Sequence, residues 1–310
     1  MNLEQLRGFV AVAELGHFTR ASERLHLAQP SLSRQISTLE QELGAELFHR
    51  ARGNISLTAA GETLVPRARR MLTDADAIRA EMAELAGLQR GRVRLGATPT
   101  LCISLVAEVL RAFHDAHPGI ELQLVEGGSN LLIEQLAAGA VDMALVTISE
   151  GRPVAGTALV RTPLLVEQLV VVSSAEQPPI ADGTIDLEQL SRLPLVALAE
   201  SYDLRDATDD AFRAAGLTPS LVVEGAEMDA VLRFVERGIG VAVVPATVPV
   251  DRPTLRPVRL TDPQLERTIV LAHRNDVKPT RAADAMRAVI VHTAEYLAAR
   301  SPETLHPVAL

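Results

Sequence analysis

The side chains best suited to recognition chemistry lie in QPSLSRQISTLEQ, residues 29–41. Wound as a helix, this stretch gathers Arg34, Ser37, Thr38 and Gln41 on one face, with Ser31 and Ser33 at its flanks and Gln29 and Pro30 at its start. Glu40 and Glu42 fall towards the sides of the wheel. A face of hydroxyls, an amide and a guanidinium, with no carboxylate at its centre, can hydrogen-bond base edges and phosphates. Short side chains let the backbone approach, and Arg34 can pair bidentately with guanine or a phosphate. Two further arginines follow in LFHRARGNISLT (47–58), which reads as a hairpin with its turn at Arg52-Gly53-Asn54. Such a wing would present Arg50 and Arg52 to the DNA backbone or minor groove.

A second set of candidate side chains suits a small ligand. Open α/β sheets bind beyond the carboxyl ends of strands, where helix N-termini offer unpaired N–H groups. That rule selects Thr98, Pro99 and Thr100 after RVRLGA, Gly128 and Ser129 after IELQLVE, Thr147 after VDMALV, and Ser201 and Tyr202 after PLVALAE.

The elements that must position the first set read as a winged helix-turn-helix over 1–58. Pro30 suits the first helical position and Gly44 the place just past the end. Leu32, Ile36, Leu39 and Leu43 form the stripe that faces a core. Upstream, Thr19 is placed to cap a short helix running through Leu25, with Arg20 beside it and Ala21 and Leu25 turned inward. An amphipathic helix carrying Leu3, Leu6, Phe9, Val10 and Ala13 precedes them. The plainer alternative is a solvated helix in a bundle, which the two-arginine wing makes less economical.

Thr58 caps a further helix, expected over 59–90, in which Leu64, Ala68, Met71, Ala75, Ile78, Met82 and Leu85 alternate spacings of four and three. That heptad seam predicts pairing with a second copy, which would set two recognition helices on two half-sites. Pro66 is expected to kink the helix near its start.

From Arg92 strands alternate with helices, the pattern of a parallel, doubly wound α/β sheet. A first set ends near Thr147 and a second runs from about Leu164 to Leu260. A strand (268–273) and a helix (281–299) close the chain. Charge divides in the same way. Residues 1–90 hold eleven arginines and eleven acids and net to zero, so the whole formal −9 belongs to 91–310.

The ordered motifs FTRASERLHLAQPSLSRQISTLEQELGAELFHR, RGRVRLGATPTL, HPGIELQLVEGGSNLLIEQLAAGAVDMALV and VERGIGVAVVP resemble the LysR-type transcriptional regulators over nearly the whole chain. The resemblance implies a winged helix-turn-helix, a linker helix and an effector-binding domain (91–310). That domain would comprise two Rossmann-like subdomains similar to periplasmic binding proteins, one of about 91–161 and 268–310, the other of about 162–267. It further implies promoter DNA as partner, activation or repression tuned by a small-molecule effector in the cleft, a homotetramer built as a dimer of dimers, and RNA polymerase as an admissible further partner. It adds Glu227 and Met228 to the cleft. Family members that take strongly acidic effectors place an arginine after the third strand, where this chain has Thr147. The expected effector is therefore a monoanionic or neutral metabolite, held by hydroxyls at two helix N-termini and shaped by Tyr202 and Met228.

Other classes find little support. The sequence has no Walker loop, no GxSxG and no His/Cys cluster with metal-ligand spacing, so neither an enzyme nor a cofactor or metal is expected. Cys102, the single cysteine, cannot form an intrachain disulfide and is expected to be structural. With no basic signal segment and no apolar run of about 20 residues, the expectation is a cytoplasmic protein. The rival is a solute-capture protein whose N-terminal helices only dimerise, and DNA affinity within 1–60 separates the two.

Overall fold

A computed structural model of the chain describes all residues except 52–53, 86–90, 149–158, 201 and 309–310. It divides into two compact units, Met1–Gly91 with Gln135–Ala140, and Arg92–Glu134 with Val141–Leu310.

The first unit carries α1 (Leu3–Leu15), α2 (Phe18–Arg24), α3 (Gln29–Leu43), an antiparallel hairpin of β1 (Phe48–Ala51) and β2 (Asn54–Leu57), and α4 (Ala59–Leu85). Asn2 and Gln5 form a reciprocal capping box at the start of α1, which satisfies backbone N–H groups that a helix end leaves unpaired. Gly44 takes the left-handed conformation (φ 66°) that ends α3, as its position implied. Leu6 and Phe9 of α1, Leu32, Ile36 and Leu39 of α3, and Phe48 of β1 are fully buried together. The helices approach closely because Gly8 has no side chain: a Cβ there would lie 2.7 Å from Leu32 Cδ1.

Four local expectations need correction. α2 begins one residue before Thr19, so His17 holds the N-cap position and Thr19 lies within the first turn. Pro30 is the second residue of α3, not the first. Leu43 is 42% exposed because α3 runs past its last core residue, Leu39, before Gly44 ends it. In α4, Thr58 caps as expected, its hydroxyl accepting the Gly61 N–H at 3.1 Å. The front of the heptad seam, however, is already used: Ala68 is fully buried and Leu64 partly buried in this unit's own core. Met71, Ile78 and Met82 are exposed, and the side chain of Leu85 lies outside the described residues. The helix is continuous through Pro66.

The second unit contains β3 (Gly91–Ala97), α5 (Pro99–Leu101) continuing through a π-helical turn (Cys102–Val106) into α6 (Ala107–Ala116), β4 (Ile120–Glu126), α7 (Ser129–Ala137), β5 (Met143–Ile148) and β6 (Leu159–Ser174). There follow β7 (Thr184–Asp186), α8 (Leu187–Ser191), β8 (Pro194–Leu198), α9 (Asp203–Ala214), β9 (Ser220–Ala226), α10 (Met228–Glu236), β10 (Ala242–Pro245), β11 (Leu255–Thr261), β12 (Glu266–Arg274), α11 (Arg281–Arg300) and β13 (Leu305–Pro307).

The sheet is mixed, not wholly parallel. β3 and β5 pair in parallel, but β12 runs antiparallel to β5 and to β6, and β6 is antiparallel to β10, β11 and β13. The cause is the sixteen-residue β6, which contributes to two cores. Its Leu165 packs with Val93, Leu145, Ile269 and Met286, whereas Leu169–Val172 pack with Leu195, Phe212, Val231 and Val244. β6 and β12 thus join two α/β lobes, and the strand ends of both lobes supply a shared cavity.

Candidate nucleic-acid interface and ligand cavity

On α3 the buried stripe fixes which side chains face solvent. Arg34, Ser31, Thr38, Gln29, Pro30 and Gln41 are exposed, and Ser33 and Ser37 half-buried. The side chain of Arg34 has no hydrogen bond or ion pair among the described residues, so its guanidinium is unengaged. Thr38 differs: its hydroxyl donates to the Arg34 carbonyl at 2.9 Å. It can therefore accept a hydrogen bond but has no proton left to give. Thr19 and Arg20 on α2 are exposed, and Arg50 lies in β1 opposite Ile55, its side chain outside the described residues. Arg52 also lies outside them. The edge-on contact of Phe18 with Phe48 (6.0 Å) ties α2 to the hairpin within this unit.

The cavity of the second unit has a volume of about 420 Å³. Thr98, Pro99 and Thr100 line it from the β3–α5 connection, Thr147 from the end of β5, and Tyr202 from the approach to α9. These five were selected from sequence. Ser129 and Met228 stand behind the wall instead. Ser129 is 3% exposed, and Met228 is buried in a hydrophobic core, giving its backbone N–H to the Tyr202 hydroxyl at 3.3 Å. Ser201 lies outside the described residues.

The electrostatics differ from those expected. Two of the selected hydroxyls already have a carboxylate: Ser129, at the start of α7, donates to Asp203 Oδ2 at 2.5 Å, and Thr147, in β5, donates to the same oxygen at 3.1 Å. The acceptor belongs to the chain because Asp203 opens α9 and reaches across to the other lobe. At α7 this corrects the expectation of a free hydroxyl for an anionic ligand. Tyr202 donates to Glu227 at 2.6 Å, and burial followed by this hydrogen bond pushes its phenol above its ordinary range. Glu126 and Glu227 complete an acidic lining.

Among the described residues Arg267 is the cavity's one arginine, and its charge is matched. Its Nε and Nη2 donate to Glu167 Oε2 at 2.9 and 2.8 Å, and Nη1 donates to Thr100 at 2.6 Å. Glu167, fully buried, also accepts from Thr247 N–H and hydroxyl. A charged residue inside the apolar strand ERTIVLAHR was the signal that sequence reading passed over. Arg205, on α9, supplies no free charge to the cavity. It is 9% exposed and binds Asp209, Glu224 and the Leu198 carbonyl.

Cys102 stands behind the cavity at the start of the π-helical turn. Burial, reinforced by the nearby Glu126 charge, pushes its thiol up to about 12. Among the described residues no group of three His, Cys, Asp or Glu could hold a metal ion, and no helix is long and apolar enough to cross a membrane.

Comparison with known families matches residues 3–62 to a bacterial regulatory helix-turn-helix protein of the lysR family, and residues 86–295 to a LysR substrate binding domain. The chain is 32% identical to the HTH-type transcriptional regulator IlvR of Caulobacter vibrioides, covering 90% of this chain and 95% of that protein. It is 34% identical to a probable hydrogen peroxide-inducible genes activator of Streptomyces viridosporus, covering 91% and 90%. Full-length CbnR in complex with its target DNA is similar in structure, with a TM-score of 0.67 at 25% identity, covering 96% of this chain and 99% of CbnR.

Proposed function

This chain belongs to the LysR family of transcriptional regulators with an effector-binding domain, and from that membership we propose that it binds promoter DNA under the control of a small molecule in the Thr98–Thr147–Tyr202 cavity. The single observation that carries the DNA reading is the solvent face of α3, where an unengaged Arg34 stands among small polar side chains. Residues 1–58 are assigned to DNA, with contacts from Thr19, Arg20, Gln29, Pro30, Ser31, Ser33, Arg34, Ser37, Thr38, Arg50 and Arg52. Residues 59–90 are assigned to pairing and 91–310 to effector binding. The assembly is a cytoplasmic homotetramer without enzymatic activity, acting as activator, repressor or both at its promoters.

Footprinting of the intact protein on the DNA flanking its own gene tests this. Arg34→Ala should cost about 1–3 kcal/mol of specific affinity, with circular dichroism unchanged. Operator affinity equal to the parent would end the recognition-helix assignment. A low-molecular-mass cell extract should alter the footprint, and Leu131→Trp, which fills the cavity from an exposed position, should abolish that response. A response that survives Leu131→Trp would remove the effector from this cavity.

A further inference from the structure

Four helix starts converge on the cavity, which is lined by Pro99 of α5, Gly128 just before α7, Asp203 of α9 and Glu227 just before α10. Such ends attract anions, each carrying roughly half a positive charge. In this chain they already face carboxylates. Asp203 sits in the first turn of α9 and takes the hydroxyl of the first residue of α7. Glu227 is the N-cap residue of α10 yet makes no capping bond with its side chain. Glu126 ends β4 on the same cavity. With Arg267 matched by Glu167, the three carboxylates outweigh the helix ends and leave the cavity negative by about one charge.

Acceptor capacity remains unused. Among the described residues, the Glu126 carboxylate has no hydrogen-bond or ion-pair partner, and Asp203 Oδ1 and Glu227 Oε1 have none. The Thr98 hydroxyl is the independent sign of a ligand. Thr98 lines the cavity at 5% exposure, and its Oγ1 is buried without any partner, a condition that costs free energy unless something binds there. Among the described residues no group of three His, Cys, Asp or Glu is placed to hold a metal ion. A cavity of about 420 Å³ suits an organic molecule.

We propose that the cavity takes a small organic cation bearing an ammonium or guanidinium group, its N–H donors directed to Glu126, Asp203, Glu227 and the Thr98 hydroxyl. The proposal rests on the reading of this cavity as the effector site and names that effector's class.

The test is calorimetric titration of the full-length protein with agmatine, L-arginine and butane-1,4-diamine, set against benzoate, succinate and acetamide. A cation should bind and weaken as salt rises. Glu126→Gln and Glu227→Gln, both at exposed positions, should each lower its affinity about tenfold, the worth of one charge-assisted hydrogen bond. Thr98→Val should weaken it too, and Glu126→Lys should move the preference towards benzoate or succinate. A carboxylate that binds while the cations do not, and is lost in Thr98→Val, overturns the charge assignment and leaves the effector reading standing. Cation binding untouched by all of these variants overturns the proposal by placing the ligand elsewhere. Absence of cation binding at millimolar concentration also overturns it, while the extract footprint with Leu131→Trp decides the effector reading independently.

Discussion

At the residue scale, what a side chain can do depends on which of its polar atoms are already engaged. Thr38 gives its proton to the turn below it, Arg34 gives nothing, and Ser129 and Thr147 give theirs to Asp203. None of this is visible in residue type. The sequence marks the hydroxyls after β3 and β5 as cavity residues, and the structure puts Thr98, Thr100 and Thr147 in the wall. It marks Ser129 equally well, but a partner 74 positions away decides that this hydroxyl faces the chain and not a ligand. Cys102 belongs to the same scale. A thiol held up to about 12 has almost no thiolate at neutral pH, and the thiolate is the species that reacts. Native protein should therefore alkylate slowly with iodoacetamide at pH 8, and hydrogen peroxide should leave its footprint unchanged, despite similarity to a probable peroxide-inducible activator. Fast alkylation of the folded protein would contradict the partly buried, protonated thiol. The folded thiol keeps its proton while an unfolded one ionises near 9.0. Its contribution to stability is thus complete below pH 9 and declines as pH rises towards 12, so Cys102→Ser should flatten the onset of that decline in denaturant titrations run from pH 8 to pH 10.

At the element scale, periodicity located the helices well, and the errors fall where an element serves two purposes. The α4 pattern of Leu64, Ala68, Met71, Ala75, Ile78 and Met82 reads as one seam, yet its front packs inward and Met71, Ile78 and Met82 stay exposed. A heptad cannot tell a core from a partner helix, since both bury the same face. The two halves can be separated by mutation. Ile78→Asp with Met82→Asp should shift the protein to a smaller assembly in light scattering without lowering the stability of α1–α3. Ala68→Leu should do the opposite, destabilising by about 1–3 kcal/mol through overpacking while assembly is retained. Loss of assembly in Ala68→Leu with Ile78→Asp and Met82→Asp still fully assembled would reverse the assignment. The short β7, α8, β11 and β13 were not foreseen. Runs of three to seven residues carry too little pattern, and their pairing with β6 or with each other is fixed by distant chain.

At the scale of the effector-binding unit, alternating strands and helices gave the α/β class but not the antiparallel course of β6 and β12. That course follows from the chain passing from one lobe to the other and back, which no local window contains. The two strands carry the buried pair Glu167–Arg267, and its three further contacts reach Thr247 in one lobe and Thr100 in the other. A buried pair of this kind adds little compared with apolar residues, but removing one partner leaves the other charged and dry. Arg267→Ala should accordingly destabilise by about 3–5 kcal/mol, read as a lower denaturant midpoint, because Glu167 is fully buried and keeps only Thr247. Arg267→Met with Glu167→Leu should recover much of that loss, since neither buried charge remains. The double variant would also lose the Thr100 contact at the cavity, so its ligand response should fall even where its stability returns. If the double variant were as unstable as Arg267→Ala, the loss would stem from packing and not from an unpaired carboxylate, and the strands would be joined by shape alone.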